Sequence, residues 1–357
     1  MKLKTLIIIT NWNDEYRTLR CINSLVKLKL NNFDILVTDN NSIKNNLNRL
    51  IKGIKKKIKN KKINFIKRRT FDYNKINSKA KKIILLQSDI NTGCTGGYNI
   101  GYHFGLKNNY DYICRIDNDC TVNKDFLYKN ISFLEKNLNY VGVNSKVCYQ
   151  HLKKRIQWVG VKISYKASLH RSLRLFKKPK NINEINNEVL SSNWKGIINT
   201  DTLNGPGSVI RTKVLRKSGL SDPEFFFGPE DMELSLRLRK FGKLAVNLDS
   251  TIYHEVAKSA KITGINTRKY YEIKSYLYFL KKLRIDIYFF GLIYNLIRIV
   301  FTLILSTINK EKKNYLKVLF KANKDFFNSK LGIYDLKNNN PNKKESINLY
   351  LKKINLK

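Results

Sequence analysis

The sequence predicts an α/β protein whose core is a mostly parallel sheet flanked by helices. Three observations carry this. Up to about Phe126, short apolar runs alternate with polar stretches of helix length. The runs Leu6 to Ile9, Ile35 to Val37, Ile83 to Leu86 and Tyr112 to Ile116 are short and rich in β-branched or aromatic residues, as strands buried on both faces are. With 357 residues, 42% of them hydrophobic and 11% aromatic, the chain has enough apolar mass for a sizeable core.

The first run, in MKLKTLIIITNW, is read as a strand and not a signal peptide, because Asn11, Trp12, Asn13, Asp14 and Glu15 follow at once with no small-residue cleavage site. In a parallel sheet, ligands bind beyond the carboxyl ends of the strands. That directs attention to Thr10 and Asn11, Asp39 to Ser42, Asn91 to Asn99, and Asp117 to Asp119. From Ser145 to Thr200 the periodicity weakens, and Trp158, Gly160 and the basic HRSLRLFKKPK suggest an irregular, substrate-shaped insertion. TLNGPGSVIRTKVL reads as a loop leading into a strand and a helix. FGPEDMELSLRLRKFGK carries strong helix signals: Pro229 at the first position, acids in the first turn and Gly242 at the end. Glu233 and Arg237 stand four apart, a spacing that pairs them on the exposed face. After His254 the composition is helical. Residues 285–308 are long enough to span a bilayer, yet Asp286, Asn295 and Arg298 interrupt them, so an interfacial helix flanked by lysines is expected. The final forty-odd residues form a Lys- and Asn-rich tail.

The formal charge of +42 invites a nucleic-acid or anionic-membrane partner. Lys, Asn and Ile are over-used along the whole chain, however, so a solvated basic surface accounts for much of the excess and nucleic-acid binding is not the expectation. Five cysteines with no CxxC pair argue against a disulfide framework and a zinc site, which fits reduced thiols in a cytosol.

ICRIDNDCTV places Asp117 and Asp119 two residues apart at the end of a strand. Their mutual repulsion calls for a positive partner, although a lone D-x-D is often a plain turn. Carboxylate oxygens suit Mg2+ or Mn2+, and an imidazole such as His254 shifts the balance toward Mn2+. His254 alone is more often a hydrogen-bonded structural residue. Glu230 and Asp231 begin a helix whose dipole favours charged carboxylates; they read either as caps or as a general base fixed on a rigid element. NTGCTGGYNIGYHFGL packs Gly93, Gly96, Gly97 and Gly101 into a helix start, which permits close backbone approach. It is neither GxGxxG after the first strand nor a P-loop, which counts against dinucleotide and ATP binding.

Taken in order, IIITNWND, ILVTDNNS, NTGCTGGYNIG, IDND, NGPGSVIRTKVL, FFFGPEDMELSLRLRKFG and IYHEVAKSA resemble the family 2 glycosyltransferases, inverting enzymes of the GT-A, Rossmann-like fold, and in particular their rhamnosyltransferase-like branch. The resemblance covers roughly residues 4 to 275. It implies a nucleotide-sugar site in which Thr10, Asn11, Asp39 and Asn41 lie around the base and ribose, and Asn91, Gly93, Gly97 and Asn99 lie in the covering loop. Asp117 and Asp119 match the metal-binding D-x-D, with Asp117 also on the donor, and His254 matches the late histidine of the metal-diphosphate site. Asp231 matches the catalytic base, with Glu230 beside it. The resemblance further implies a domain over 1–275, divided near 126 into a nucleotide-binding and an acceptor half. A basic helical region, 276–357, follows it. The expected acceptor is a lipid-linked surface glycan at the inner face of the cytoplasmic membrane, with Trp158, Trp194 and Gly205 as candidate acceptor contacts. Three positions depart from the family pattern: Glu233 where a further Asp is common, Lys274 and Ser275 where Arg-Asn is usual, and Cys94 with Tyr98 in the glycine loop.

Overall fold

The computed structural model describes residues 3–59, 62–70, 72, 81–163, 176–177, 194–255 and 265–332. Much of the expected insertion and the tail beyond 332 lie outside these residues. The four apolar runs are strands β1 (Thr5–Asn11), β2 (Phe33–Asp39), β4 (Lys81–Gln87) and β5 (Tyr112–Asp117). Between and after them run β3 (Ile63–Arg69), α1 (Glu15–Leu25), α2 (Lys44–Ile58), α3 (Gly93–Lys107), β6 (Cys120–Val122) and α4 (Phe126–Lys136). The second half contains β7 (Tyr140–Tyr149), β8 (Ile156–Trp158), β9 (Lys162–Ile163), β10 (Phe176–Lys177), β11 (Ile197–Thr200), β12 (Ser208–Arg211), α5 (Thr212–Ser218), α6 (Glu230–Leu238) and β13 (Lys243–His254). The helices α7 (Ile265–Lys282), α8 (Ile285–Ser306) and α9 (Lys310–Phe327) close the described chain.

The main sheet runs β11-β13-β7-β12-β5-β1-β2-β4-β3. From β5 to β3 every pairing is parallel. The register aligns Thr10 with Asp117, Asn11 with Asp39, and Asp39 with Gln87, so all four strands deliver polar termini to one edge. β12 enters antiparallel between β5 and β7, pairing Ser208 with Arg115. β13 runs parallel to β7 and antiparallel to β6, which sets His254 opposite Cys120. The fold is thus a mixed α/β architecture around a mostly parallel centre.

Apolar residues alternate between two faces. One face of the sheet packs Ile7, Ile9, Ile35, Val37, Ile83 and Leu85 against α1, α2 and α4. The other packs Leu6, Ile8, Leu36, Ile84 and Leu86 against α3, α5 and α6. A third cluster joins Tyr270, Tyr271, Ile273 and Leu277 of α7 to Leu319, Ala322 and Phe326 of α9, with Phe226 and Phe227 packed on it. Phe226 stacks on Tyr271 at 4.2 Å, and Lys282 bridges Asp222 and Glu233, so the C-terminal helices dock on the loop that precedes α6. Position 275/276 falls inside α7.

Three expectations change. Glu233 is buried, not on an exposed face: it holds Arg237 through both carboxylate oxygens and also takes Lys282, because the C-terminal helices cover that side of α6. Pro229 is the N-cap, one residue before the helix begins. The weakly periodic region opens with a regular strand, β7, buried along most of its length, so continuous burial and not irregularity removed its alternation. Lys274, at the position where the family usually has an arginine, is also buried, with its Nζ over the rings of Tyr270 and Tyr271.

Candidate active site

The site begins at the end of β1. Asn11 is buried and donates to Asp39 Oδ1 at 2.7 Å and to Ser42 Oγ at 3.1 Å, while its own oxygen accepts from Thr18 at 2.7 Å. Asp39 is fully buried and takes the Ser42 amide on its second oxygen. Buried polar groups linked this fully are rigid. Asn41 is exposed with φ +64°, whereas its neighbour Asn40 is buried and does the bridging: its amide donates to the Gly93 carbonyl at 2.7 Å and its oxygen accepts from both the backbone and hydroxyl of Thr92. Asn91 caps the same turn by accepting from Gly93 N at 2.9 Å.

Glycine is required at two places in this loop. Gly93 has φ +71°, and a Cβ there would lie 2.3 Å from the Phe226 carbonyl oxygen. A Cβ on Gly97 would lie 2.6 Å from Thr10 Cγ2, so α3 rests directly on the end of β1. Asn99 is buried further along α3 and donates to the Ser221 carbonyl, tying that helix to the loop before α6.

Past β5 the structure brings Asp119 and His254 together, Oδ1 to Nε2 at 3.3 Å. Cys120 joins them: the three ligand atoms lie within 4.8 Å of one another. The Nδ1–H of His254 donates to Gln157 Oε1 at 3.0 Å, which turns Nε2 toward Asp119. Burial lowers the His254 pKa, but the hydrogen bond and charge of Asp119, with Asp117 and Glu255, outweigh it and raise the value. Asp117 is half-buried and stands apart from this cluster, accepting from the Tyr98 hydroxyl at 2.6 Å. A carboxylate oxygen beside an oriented imidazole nitrogen suits a divalent ion such as Mn2+ or Mg2+, and the donor set fits. Asp119 and His254 would hold it, with Asp117 two residues away.

Sequence reasoning passed over the cations here. Arg17 and Arg20 of α1 both pair with buried Glu255, at 3.5 and 2.6 Å, and Arg20 also donates to the Asp119 carbonyl. Asp14, the N-cap of α1, holds Arg17. A capping Asp followed by two arginines one turn apart, immediately after the first strand, was the available signal.

The second acidic pair opens α6. Glu230 is buried against Arg115, 3.0 Å away; Asp231 is half-buried. Asp231 Oδ2 accepts from Gly205 N at 3.2 Å, and Oδ1 accepts from Met232 N at 2.8 Å. Desolvation and then the Glu230 charge push the Asp231 carboxyl up to about 6, against the opposing effects of Arg115 and the two amides. A carboxylate with a pKa near 6 on a helix N-terminus is equipped to accept a proton near neutral pH. Gly205 therefore sits on Asp231. Trp158 and Trp194 are both half-buried in a small cluster with Val159, Val246 and Leu248.

The family model for glycosyl transferase family 2 matches residues 6–187, just over half of the chain. No curated protein matches the chain at a significant level. Among solved structures, GalNAc-T7 with UDP, GalNAc and Mn2+ is similar at 16% identity and TM-score 0.52, over 71% of this chain and 44% of that one. S. aureus TarS gives 15% identity and TM-score 0.47, over 77% of this chain and 39% of that one. TarS residues 1–349 with UDP-GlcNAc give 14% and 0.46, over 77% and 66%. The chain thus spans less than half the length of the first two. The chain belongs to glycosyl transferase family 2, and its fold is GT-A-like.

Proposed function

We propose that this family 2 member is an inverting, metal-dependent glycosyltransferase that moves a sugar from a nucleotide diphosphate donor to a hydroxyl of a lipid-linked surface glycan. The sugar is of hexosyl or rhamnosyl type. The observation that carries the reading is the pairing of two acidic sites of opposite character beyond the strand ends. One joins Asp119 to a histidine, and the other is a raised-pKa carboxylate, Asp231.

The donor's base and ribose lie along Thr10, Asn11, Asp39 and Asn41, under the loop of Asn91, Gly93, Gly97 and Asn99. The rigidity of the Asn11–Asp39–Ser42 network supports that role. Asp119 and His254, with Asp117 nearby, would hold a divalent ion, which would supply positive charge for the diphosphate leaving group. Asp231 takes the proton of the acceptor hydroxyl as its oxygen attacks the anomeric carbon from the face opposite the diphosphate. The new C–O bond forms as the bond to the diphosphate breaks, and configuration inverts. Glu230 keeps negative charge beside Asp231 and so favours uptake of that proton. Trp158, Trp194 and Gly205 lie on the acceptor side, with Gly205 aligning the base.

Docking at the inner face of the cytoplasmic membrane is supported by α8, which is built inside out. Its buried face carries Gly291, Asn295 and Thr302 along with Ile287. Phe289, Leu296, Ile297, Phe301 and Ile304 are at least half exposed. Asn295 donates to Asn323 of α9, which satisfies the polar seam internally. Lysines at both ends, Lys281, Lys310, Lys312 and Lys313, suit anionic headgroups.

Calorimetry with UDP, GDP and dTDP, with and without Mn2+, tests the donor site; UDP is the first choice because GalNAc-T7 holds it. Metal-dependent binding of one nucleotide, lost in Asp119→Ala, is the expected result; no binding of any nucleotide contradicts it. Vesicle flotation tests docking. Leu296→Glu with Phe301→Glu should leave the fold intact and release the protein from anionic vesicles, and unchanged flotation contradicts the proposal.

A further inference from the structure

Arg115 is a charged residue in the middle of an otherwise apolar strand, β5, two positions before the D-x-D. It is only 4% exposed. A buried guanidinium persists where it is paired, and the groups around it here come from three separate places in the chain. Its Nη2 donates to Glu230 Oε1 at 3.0 Å and approaches Cys94 Sγ at 3.4 Å. Its carbon lies 3.9 Å from the centre of the Tyr98 ring, a stacked cation–π contact. A Cβ added to Gly205 would sit 2.7 Å from Nη2, so the guanidinium packs directly against the Gly205 backbone.

The family resemblance leaves Cys94 and Tyr98 as departures in the glycine loop, and Arg115 accounts for both. The small thiol admits Nη2, and the tyrosine ring gives the guanidinium a face to stack on while its hydroxyl reaches Asp117. Arg115 therefore touches the acid pair on one side and, through Tyr98, the metal-side carboxylate on the other.

We propose that Arg115 is the positioning residue of the acid pair: by holding Glu230 and packing on Gly205, whose amide binds Asp231, it fixes the Asp231 carboxylate as the one that receives the acceptor's proton. The inference rests on Asp231 being the base. The groups facing Asp231 are Glu230 and the Met232 amide on α6, the Gly205 amide and Arg115. Arg115 is the positive charge among them. Its removal favours the protonated form of Asp231, and removal of Glu230 favours the charged form.

The test follows the Asp231 carboxyl by 13C NMR titration together with steady-state kinetics, in wild type, Arg115→Met, Arg115→Lys, Glu230→Gln and the Arg115→Met/Glu230→Gln double variant. The double variant removes both charges, so it remains folded if the single Met variant does not. In Arg115→Met the Asp231 titration should move to higher pH; for every pH unit that its midpoint rises, kcat falls about tenfold at pH values well below the wild-type midpoint, with donor KM unchanged. Glu230→Gln should move the titration to lower pH. The double variant should return toward wild type, and Arg115→Lys should recover part of the loss. A merely structural arginine would leave the titration where it is in folded Arg115→Met and Arg115→Lys, which overturns the proposal. Displaced titrations in a wild type that transfers no sugar would sustain the coupling and overturn the base assignment instead.

Discussion

Two acidic pairs, Asp117/Asp119 after β5 and Glu230/Asp231 at the head of α6, look alike in the sequence and differ in the structure. Around the first, cations are plentiful: His254 meets Asp119 side chain to side chain, Arg20 reaches its carbonyl, and Arg17 stands close enough to feel its charge. Around the second, Arg115 is committed to Glu230, and Asp231 is left with two backbone amides and a like charge beside it. The first arrangement keeps negative charge available to a cation, and the second makes a carboxylate exchange its proton near pH 6. Neighbours, and not the acids themselves, assign the two roles.

The comparison breaks most readily at its extremes. Asp231→Asn removes the proton acceptor without removing volume, and kcat should fall on the order of 10^2- to 10^4-fold, read by donor turnover. Full turnover in that variant would erase the distinction between the pairs. His254→Ala should weaken metal-dependent nucleotide binding about 10- to 100-fold in calorimetry, because the nitrogen oriented by Gln157 is lost; unchanged affinity would make His254 structural. The pH profile sharpens the difference: kcat should rise with pH through about 6 and level above it, since the base works only when deprotonated. A rate flat down to pH 4 would contradict that.

The smallest effect concerns stability. A carboxyl whose folded pKa is raised favours folding fully below its unfolded value, and loses that contribution as pH rises through about 6. Asp231 therefore costs stability at pH 8, by about 1–2 kcal/mol after allowing for its partial exposure. Asp231→Asn should melt higher than wild type at pH 8 and at about the same temperature at pH 4.

The parallel half of the sheet was legible because both faces of its strands are covered, which leaves continuous apolar runs such as LIII and IILL. β3, INFIKRR, was not: it lies at the sheet edge, alternates exposed and half-buried residues, and its lysine and arginines merge with the basic background. The acids and His254 were visible as residue types at strand and helix ends, and β13 running beside β6 shows why a histidine so far along the chain reaches Asp119. Arg115 was hidden for the opposite reason. Its partner is 115 residues away, and nothing in YICRID signals a counterion on another element. Within the polar stretch Asp39 to Ser42 the donor role fell to Asn41 and not to the buried Asn40 and Ser42, because sequence does not tell which of three adjacent polar residues turns inward.

The most direct test of the two roles measures nucleotide binding with Mn2+ and donor turnover on Asp119→Ala and Asp231→Asn side by side. A division of labour requires a crossed result: Asp231→Asn binds as wild type does and turns over at least about a hundredfold more slowly, whereas Asp119→Ala loses metal-dependent binding itself. If both variants lose binding alike, or if Asp231→Asn turns over normally, the two acidic pairs do not divide the work and their separate roles are refuted.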